Sequence, residues 1–175
     1  MIVREAGGGE ADIAAAIHIA SFRSAYRGFL ADAYLDGPIV AERLAFWRRR
    51  FAESDPSRIV LLAEEDGIAR GFICAFLERD PQFGTFIDNF HVLPERKGQG
   101  VGRMLLQALA QRVAKHRPGG AMFLWVYQEN RAARRAYEGL GGKSADLGDR
   151  HGPEGSIVPG IRYVWPLAAV LRAAP

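Results

Sequence analysis

The sequence predicts an α/β fold in a single domain, and three observations carry the prediction. Apolar runs of strand length alternate with segments of helical period along the chain. Two early strands are joined by a tight turn, whereas later ones are separated by helices, so a hairpin and crossover units share one sheet. Across 175 residues and 19.2 kDa no composition shift marks a linker, and residues 1–175 read as one domain. A chain of this size buries about two-thirds of its unfolded surface without metals or disulfides.

The elements follow in order. Ile2 to Ala6 reads as a short strand, ended by Gly7-Gly8-Gly9. A helical period begins at Glu10, with Ile13, Ile17 and Ala20 expected on one core-facing stripe. An aromatic segment with Phe22, Tyr26, Phe29 and Tyr34 follows as a loop or short helix. Val40 to Glu53 reads as a second helix, with Leu44, Trp47 and Phe51 inward and Arg48-Arg49-Arg50 on a solvated face. Ile59 to Ala63 and Gly71 to Leu77 flank the turn Glu65-Asp66-Gly67 and form the hairpin. Phe83 to Leu93 is a third long strand, on which period-two arithmetic puts Phe86, Asp88, Phe90 and Val92 on one face and His91 on the other. Val101 to Lys115 is a strongly amphipathic helix, Met122 to Tyr127 a buried strand, and Asn130 an N-cap for a helix reaching Gly139. Leu147 to Gly160 reads as a Gly/Pro-rich connection before a last strand, Ile161 to Trp165.

Composition excludes several function classes. With 49% hydrophobic and 25% charged residues, disorder and collagen-like repeats are poor descriptions. The longest apolar run, Ala121 to Tyr127, is far short of the ~20 residues of a membrane span. A net charge of +3 with only loosely clustered arginines argues against nucleic-acid binding by phosphate neutralisation. Cys74 is the one cysteine and lies inside an apolar strand, which makes it a small buried hydrophobe. No Cys/His spacing suits a metal. The N-terminus lacks a charged segment followed by an apolar one, so a cytoplasmic location is expected.

The most informative segment is Val92-Leu93-Pro94-Glu95-Arg96-Lys97-Gly98-Gln99-Gly100-Val101-Gly102-Arg103, which joins an apolar strand to the amphipathic helix through three glycines. Glycine lets backbone N–H groups turn inward at positive φ, and a helix N-terminus adds unsatisfied donors and partial positive charge. With Lys97 and Arg103 nearby, a pyrophosphate is the natural occupant. A P-loop would need Ser or Thr after Gly-Lys, and a dinucleotide fingerprint would need glycine where Arg103 stands. A turn that merely connects strand to helix is the other reading.

Lys97-Gly98-Gln99-Gly100-Val101-Gly102 resembles the acyl-CoA pyrophosphate loop of the GNAT N-acetyltransferase superfamily, and Val92-Leu93-Pro94-Glu95 is similar to the strand end that leads into it. Asn130-Arg131-Ala132-Ala133-Arg134-Arg135-Ala136-Tyr137-Glu138-Gly139-Leu140-Gly141 resembles the superfamily's Asn, Ala, Tyr helix and Leu-Gly turn. Lys97 departs from the usual Gln or Arg, and Gly142 stands where a Phe is usual. The resemblance implies a GNAT fold, a central mixed, mostly antiparallel sheet of about 6–7 strands flanked by about 4 helices. It also implies acetyl-CoA as acyl donor, no metal, and transfer of acetyl to a small-molecule or peptide amine by direct attack in a ternary complex. A homodimer is left open, as is a non-catalytic acyl-CoA-binding sensor.

The roles the resemblance implies fall on particular residues. Val92, Leu93, Lys97, Gly98, Gln99, Gly100, Val101, Gly102, Arg103, Asn130, Ala133 and Tyr137 would bind the cofactor, with a main-chain N–H near Val92 or Leu93 as oxyanion donor. Asn130, Ala133 and Tyr137 share a helix face, and a tyrosine hydroxyl stays protonated at pH 7 and can donate to the departing sulfur. The resemblance gives Tyr137 the role of catalytic acid, with an ordinary core aromatic as the alternative. The place of a carboxylate base holds Phe86; Asp88, acting through a water, is favoured over His91, Glu129 and base-free transfer. The acceptor is expected between the segment Phe22 to Tyr34 and the stretch Asp146 to Ser156, with Asp149, His151 and Glu154.

Overall fold

A computed structural model describes residues 1–28, 31–151 and 157–172. Seven strands form one sheet in the order β1-β2-β3-β4-β5-β7-β6, antiparallel except for the pair β4–β5. The strands are β1 (Ile2–Glu5), β2 (Arg58–Glu65), β3 (Ile68–Asp80), β4 (Gly84–Val92), β5 (Ala121–Tyr127), β6 (Lys143–His151) and β7 (Ile157–Pro166). Six α-helices lie among the described residues: α1 (Ala11–Tyr26), α2 (Asp32–Asp36), α3 (Pro38–Ala52), α4 (Val101–His116), α5 (Arg131–Gly139) and α6 (Leu167–Arg172). Four are the expected ones, the short α2 is the helix alternative at the end of the aromatic segment, and α6 is additional.

The sheet separates two apolar layers. On one side Val101, Leu105, Leu109 and Val113 of α4 pack on Leu61, Ile73, Ile87 and Leu124, with Ala133 and Tyr137 of α5 and Leu140 just after it against the same cluster. On the other, Ala14, Ala15 and Ile17 of α1 and Trp47 of α3 cover Leu62, Phe72 and Cys74. The stripe of α1 is rotated from the expected one: Ile13 is 41% exposed while Ile17 is buried. Alanines rather than large residues face inward there, because α1 lies close against α3 and the sheet.

The turn between β2 and β3 has Asp66 at φ 53° and Gly67 at φ 75°, the two positive values a tight hairpin needs. Further along, the β3–β4 ladder skips a residue: Cys74 opposes Asn89 and Ala75 opposes Ile87, leaving Asp88 as a bulge. The extra residue resets alternation. Phe86 lies on the α1/α3 side with Asp88, but Phe90 and Val92 pack on the α4 side, while His91, opposite Phe72, faces α1. The expected shared face of Phe86, Asp88, Phe90 and Val92 is thus broken at the bulge.

The stretch expected as a connection is largely a hairpin: β6 and β7 pair from Lys143↔Val164 to His151↔Ile157. Its glycines serve close packing. A Cβ on Gly148 would lie 2.9 Å from Cη2 of Trp125, and one on Gly160 would lie 2.5 Å from Cγ of Arg150.

Candidate active site

The parallel pair β4–β5 holds only at Thr85↔Met122 and Phe86↔Phe123. Beyond those residues each strand stays paired to its outer neighbour alone, and a cleft of about 1040 Å³ opens between them. Its lining comes from both layers: Phe90, Val92, Leu124, Ala133 and Tyr137 from the α4/α5 side, and His18, Phe22, Tyr26, Asp88, His91 and Trp125 from the α1 side. The cleft therefore passes through the sheet.

At one mouth lies the glycine loop. Gly98 (φ 74°) and Gly100 (φ 83°) adopt the left-handed region, and a Cβ on either would meet nothing within 4 Å, so backbone conformation is what calls for glycine there. Gly100 is the N-cap of α4 and no side chain caps that end, leaving first-turn N–H donors available. Lys97 and Arg103 line the same mouth, and Arg103 reaches the Gly139 carbonyl at 3.5 Å. Cationic side chains, open donors and unobstructed backbone fit a diphosphate such as that of CoA.

The strand edge supplies a further donor. The N–H of Leu93 donates to the Arg70 carbonyl at 2.9 Å, so Leu93 belongs to the β3 ladder and is not an oxyanion donor. Antiparallel ladders alternate the direction of their N–H groups, which sends those of Val92 and Phe90 to the opposite edge, toward the opening. Leu93, Gln99 and Val101 do not line the cleft. Gln99 turns back to donate to the Glu95 carbonyl at 2.8 Å, and Val101 is 1% exposed within the core.

Asn130 caps α5 by accepting from the Ala133 N–H at 3.1 Å, and its Nδ2 donates to the Tyr26 hydroxyl at 3.4 Å. One side chain thereby joins α5 to α1 across the opening. The Tyr137 ring sits among Phe90, Tyr163 and Trp165 at centroid distances of 6.1, 5.9 and 5.8 Å. Burial pushes its hydroxyl pKa well above that of an ordinary phenol, and the nearby Tyr26 adds to the rise. Gly142 makes room for Trp165, since a Cβ there would lie 2.6 Å from Cζ2 of the indole. The Trp165 N–H donates to the Leu140 carbonyl at 3.2 Å, so tryptophan from β7 closes the turn after α5.

On the α1 side, the Asp88 carboxylate at the bulge forms an ion pair with Arg50 and accepts from Asn89 Nδ2 at 2.6 Å. The arginine triplet is accordingly divided. Arg48 and Arg49 are exposed, but Arg50 turns inward, its guanidinium 4.3 Å from the Phe46 ring centroid. Beside it the His18 and His91 rings stack at 4.3 Å. Burial is the main cause that lowers the His18 pKa to about 2 and the His91 pKa to about 3, so both imidazoles are neutral at physiological pH. Burial likewise pushes the Cys74 thiol up to about 12.

Of the other sequence candidates, Phe86 and His151 line the cleft, whereas Glu129 and Asp149 are exposed and do not. Phe29, Glu154 and Ser156 lie outside the described residues. Sequence reasoning missed His18, Ser21, Trp125, Arg150 and Arg50. His18 and Ser21 sit on the rotated stripe of α1, and Arg50 is hidden within a run of like charge.

Comparison with known proteins gives a consistent picture. The model of the acetyltransferase (GNAT) family matches residues 19–141. L-2,4-diaminobutyric acid acetyltransferase of Nocardia farcinica is 38% identical over 56 residues, 32% of this chain and 29% of that protein. The chain thus spans under a third of the length of that relative. PaiA N-acetyltransferase from Thermoplasma acidophilum, solved with coenzyme A, superposes with a TM-score of 0.70 at 15% identity, covering 91% of this chain and 96% of its own. YncA from Salmonella typhimurium, solved with its cofactor acetyl-CoA, does so at 0.66 and 20% identity over 100% and 97%. At these identities the structural likeness speaks to the fold.

Proposed function

Because the chain belongs to the acetyltransferase (GNAT) family, we propose that it transfers the acetyl group of acetyl-CoA to a primary amine held in the same cleft. The observation that carries this reading is the separation of β4 from β5 beyond Phe86 and Phe123, which joins the glycine loop on one side to the α1 pocket on the other.

Acetyl-CoA supplies an activated thioester carbonyl. The residues of the loop hold its diphosphate: Gly98, Gly100 and Gly102 through backbone donors, Lys97 and Arg103 through charge. Half-buried Ala133 keeps the α5 wall of the cleft shallow. The Val92 N–H is a preorganised donor for the oxygen on which charge develops. The amine nitrogen bonds to the acetyl carbon as the C–S bond breaks; nitrogen gives up one proton and the sulfur takes one. Tyr137, whose raised pKa keeps its hydroxyl protonated, donates to the sulfur. Asp88 receives the nitrogen's proton through a water, with Arg50 and Asn89 fixing its carboxylate.

Thiol release from acetyl-CoA with a panel of primary amines tests the reading. Release that depends on an amine, and falls in Tyr137→Phe while CoA still binds, is the expected result. CoA binding with no release for any amine would instead favour an acyl-CoA sensor.

A further inference from the structure

The charges on the α1 side of the cleft restrict what the acceptor can be. Asp88 is the only carboxylate among the described lining residues, and Arg50 already neutralises it. Arg150, which also lines the cleft, has no carboxylate partner among the described residues. Its guanidinium lies 4.9 Å from the Trp125 ring centroid, and its stem fits where Gly160 lacks a side chain, since a Cβ there would come within 2.5 Å of Cγ. Stacking on an aromatic face leaves the edge donors of a guanidinium free. Arg43 on α3 adds to this field: after burial, which raises the Tyr127 pKa, the charges of Arg150 and Arg43 both act on that hydroxyl in the opposite direction. Both cations thus act on Tyr127; Arg43 has Glu42 beside it at 3.8 Å, whereas Arg150 has no such acid among the described residues.

Resting on the acetyltransferase reading above, we infer that the acceptor is a small amine that also carries a carboxylate, which Arg150 receives at the Trp125–Tyr127 wall. A planar guanidinium held on a ring is suited to a two-pronged bond with a carboxylate. A polyamine brings only positive charge to a site with a cationic excess and is disfavoured by like-charge repulsion. Acetylation leaves the carboxylate unchanged, so Arg150 acts on binding and orientation and not on the bond being made.

The test compares matched pairs that differ only by a carboxylate: L-ornithine against putrescine, and L-lysine against cadaverine. Thiol release should give a kcat/KM about tenfold or more higher for each amino acid than for its diamine. Arg150→Gln should remove that preference by raising KM for the amino acids, with kcat nearly unchanged and the diamines unaffected. Arg150→Lys should restore it in part. Calorimetric titration of L-ornithine and putrescine into the CoA-loaded protein gives the same ranking without turnover. Gly160→Ala, which displaces the Arg150 stem without removing the charge, should act in the same direction as Arg150→Gln. A preference for the diamines, an equal loss for both members of each pair in Arg150→Gln, or binding of neither would overturn the inference. In all these outcomes CoA binding separates the two levels: retained, it leaves the donor site standing; lost, it removes the acetyltransferase reading itself.

Discussion

The Trp47 indole N–H donates to Nδ1 of His18 at 3.1 Å, wholly within the protein. An indole nitrogen can only donate, so His18 Nδ1 must be bare and a neutral His18 carries its proton on Nε2. Protonating the ring would set two N–H groups against each other in a buried place. The unfolded chain binds protons near pH 6.5, whereas His18 and His91 resist until about 2 and about 3. Their stabilising contribution is therefore complete above pH 6.5 and declines as pH falls below it, by up to about 1.4 kcal/mol per pH unit for each histidine. His18→Gln keeps an acceptor for Trp47 but does not titrate. Thermal unfolding at pH 7, 6 and 5 should show a shallower loss for this variant than for the parent chain; equal slopes would remove His18 from the account.

Tyr137→Phe deletes one hydroxyl and keeps the ring among Phe90, Tyr163 and Trp165. The expected outcome is a kcat about 100-fold lower with CoA affinity nearly unchanged. Because the Tyr137 pKa is raised, the parent protein should show no alkaline loss of rate from this group below pH 10. An unchanged kcat in the variant would take Tyr137 out of the chemistry.

Gly100→Ala and Gly100→Glu separate conformation from charge. At φ 83° with open space around it, alanine costs about 1–2 kcal/mol of strain and should weaken CoA binding measurably. Glutamate adds an anion where the diphosphate is proposed to sit and should abolish binding. Calorimetry that shows both variants binding as tightly as the parent would sink the assignment of the loop.

Gly142→Ala forces a Cβ against the Trp165 indole, which is itself 1% exposed and has little freedom to move. Overpacking of this kind costs about 1–3 kcal/mol, read as a lower midpoint in urea. A neutral effect would mean that the turn after α5 yields more easily than its contacts imply.

Asp88→Asn keeps the Asn89 contact but leaves Arg50 without its counter-ion. A kcat lowered about tenfold or more, recovered in part at higher pH where more of the amine is neutral, is expected if Asp88 takes up the proton. A change in stability alone would assign the carboxylate to holding the bulge.

How much of this was legible in the chain depends on how local each signal is. The glycine loop, the Asn130 cap and the face shared by Ala133 and Tyr137 arise within single turns, so spacing alone placed them. The face reversal in β4 was hidden, because a bulge is defined by the partner strand and Asp88 looks like any other alternating residue. The neighbours of Asp88 were hidden for the same reason: Arg50 lies 38 positions away in a run that reads as solvated. The β6–β7 hairpin read as a loop because its glycines, which admit Trp125 and Arg150, look like flexibility when the side chains they accommodate are out of view.

Under the proposed reaction, a cleft that passes through a sheet gives the two substrates separate addresses in the sequence. The donor side is written in one stretch, from the end of β4 through α5, while the acceptor side is assembled from α1 and the β6–β7 hairpin. Mutations in the second set can change what is modified without disturbing how the acyl group is delivered. Descendants of this chain could therefore diverge in acceptor while inheriting the donor machinery intact, and a designer could graft a new α1 and hairpin onto it.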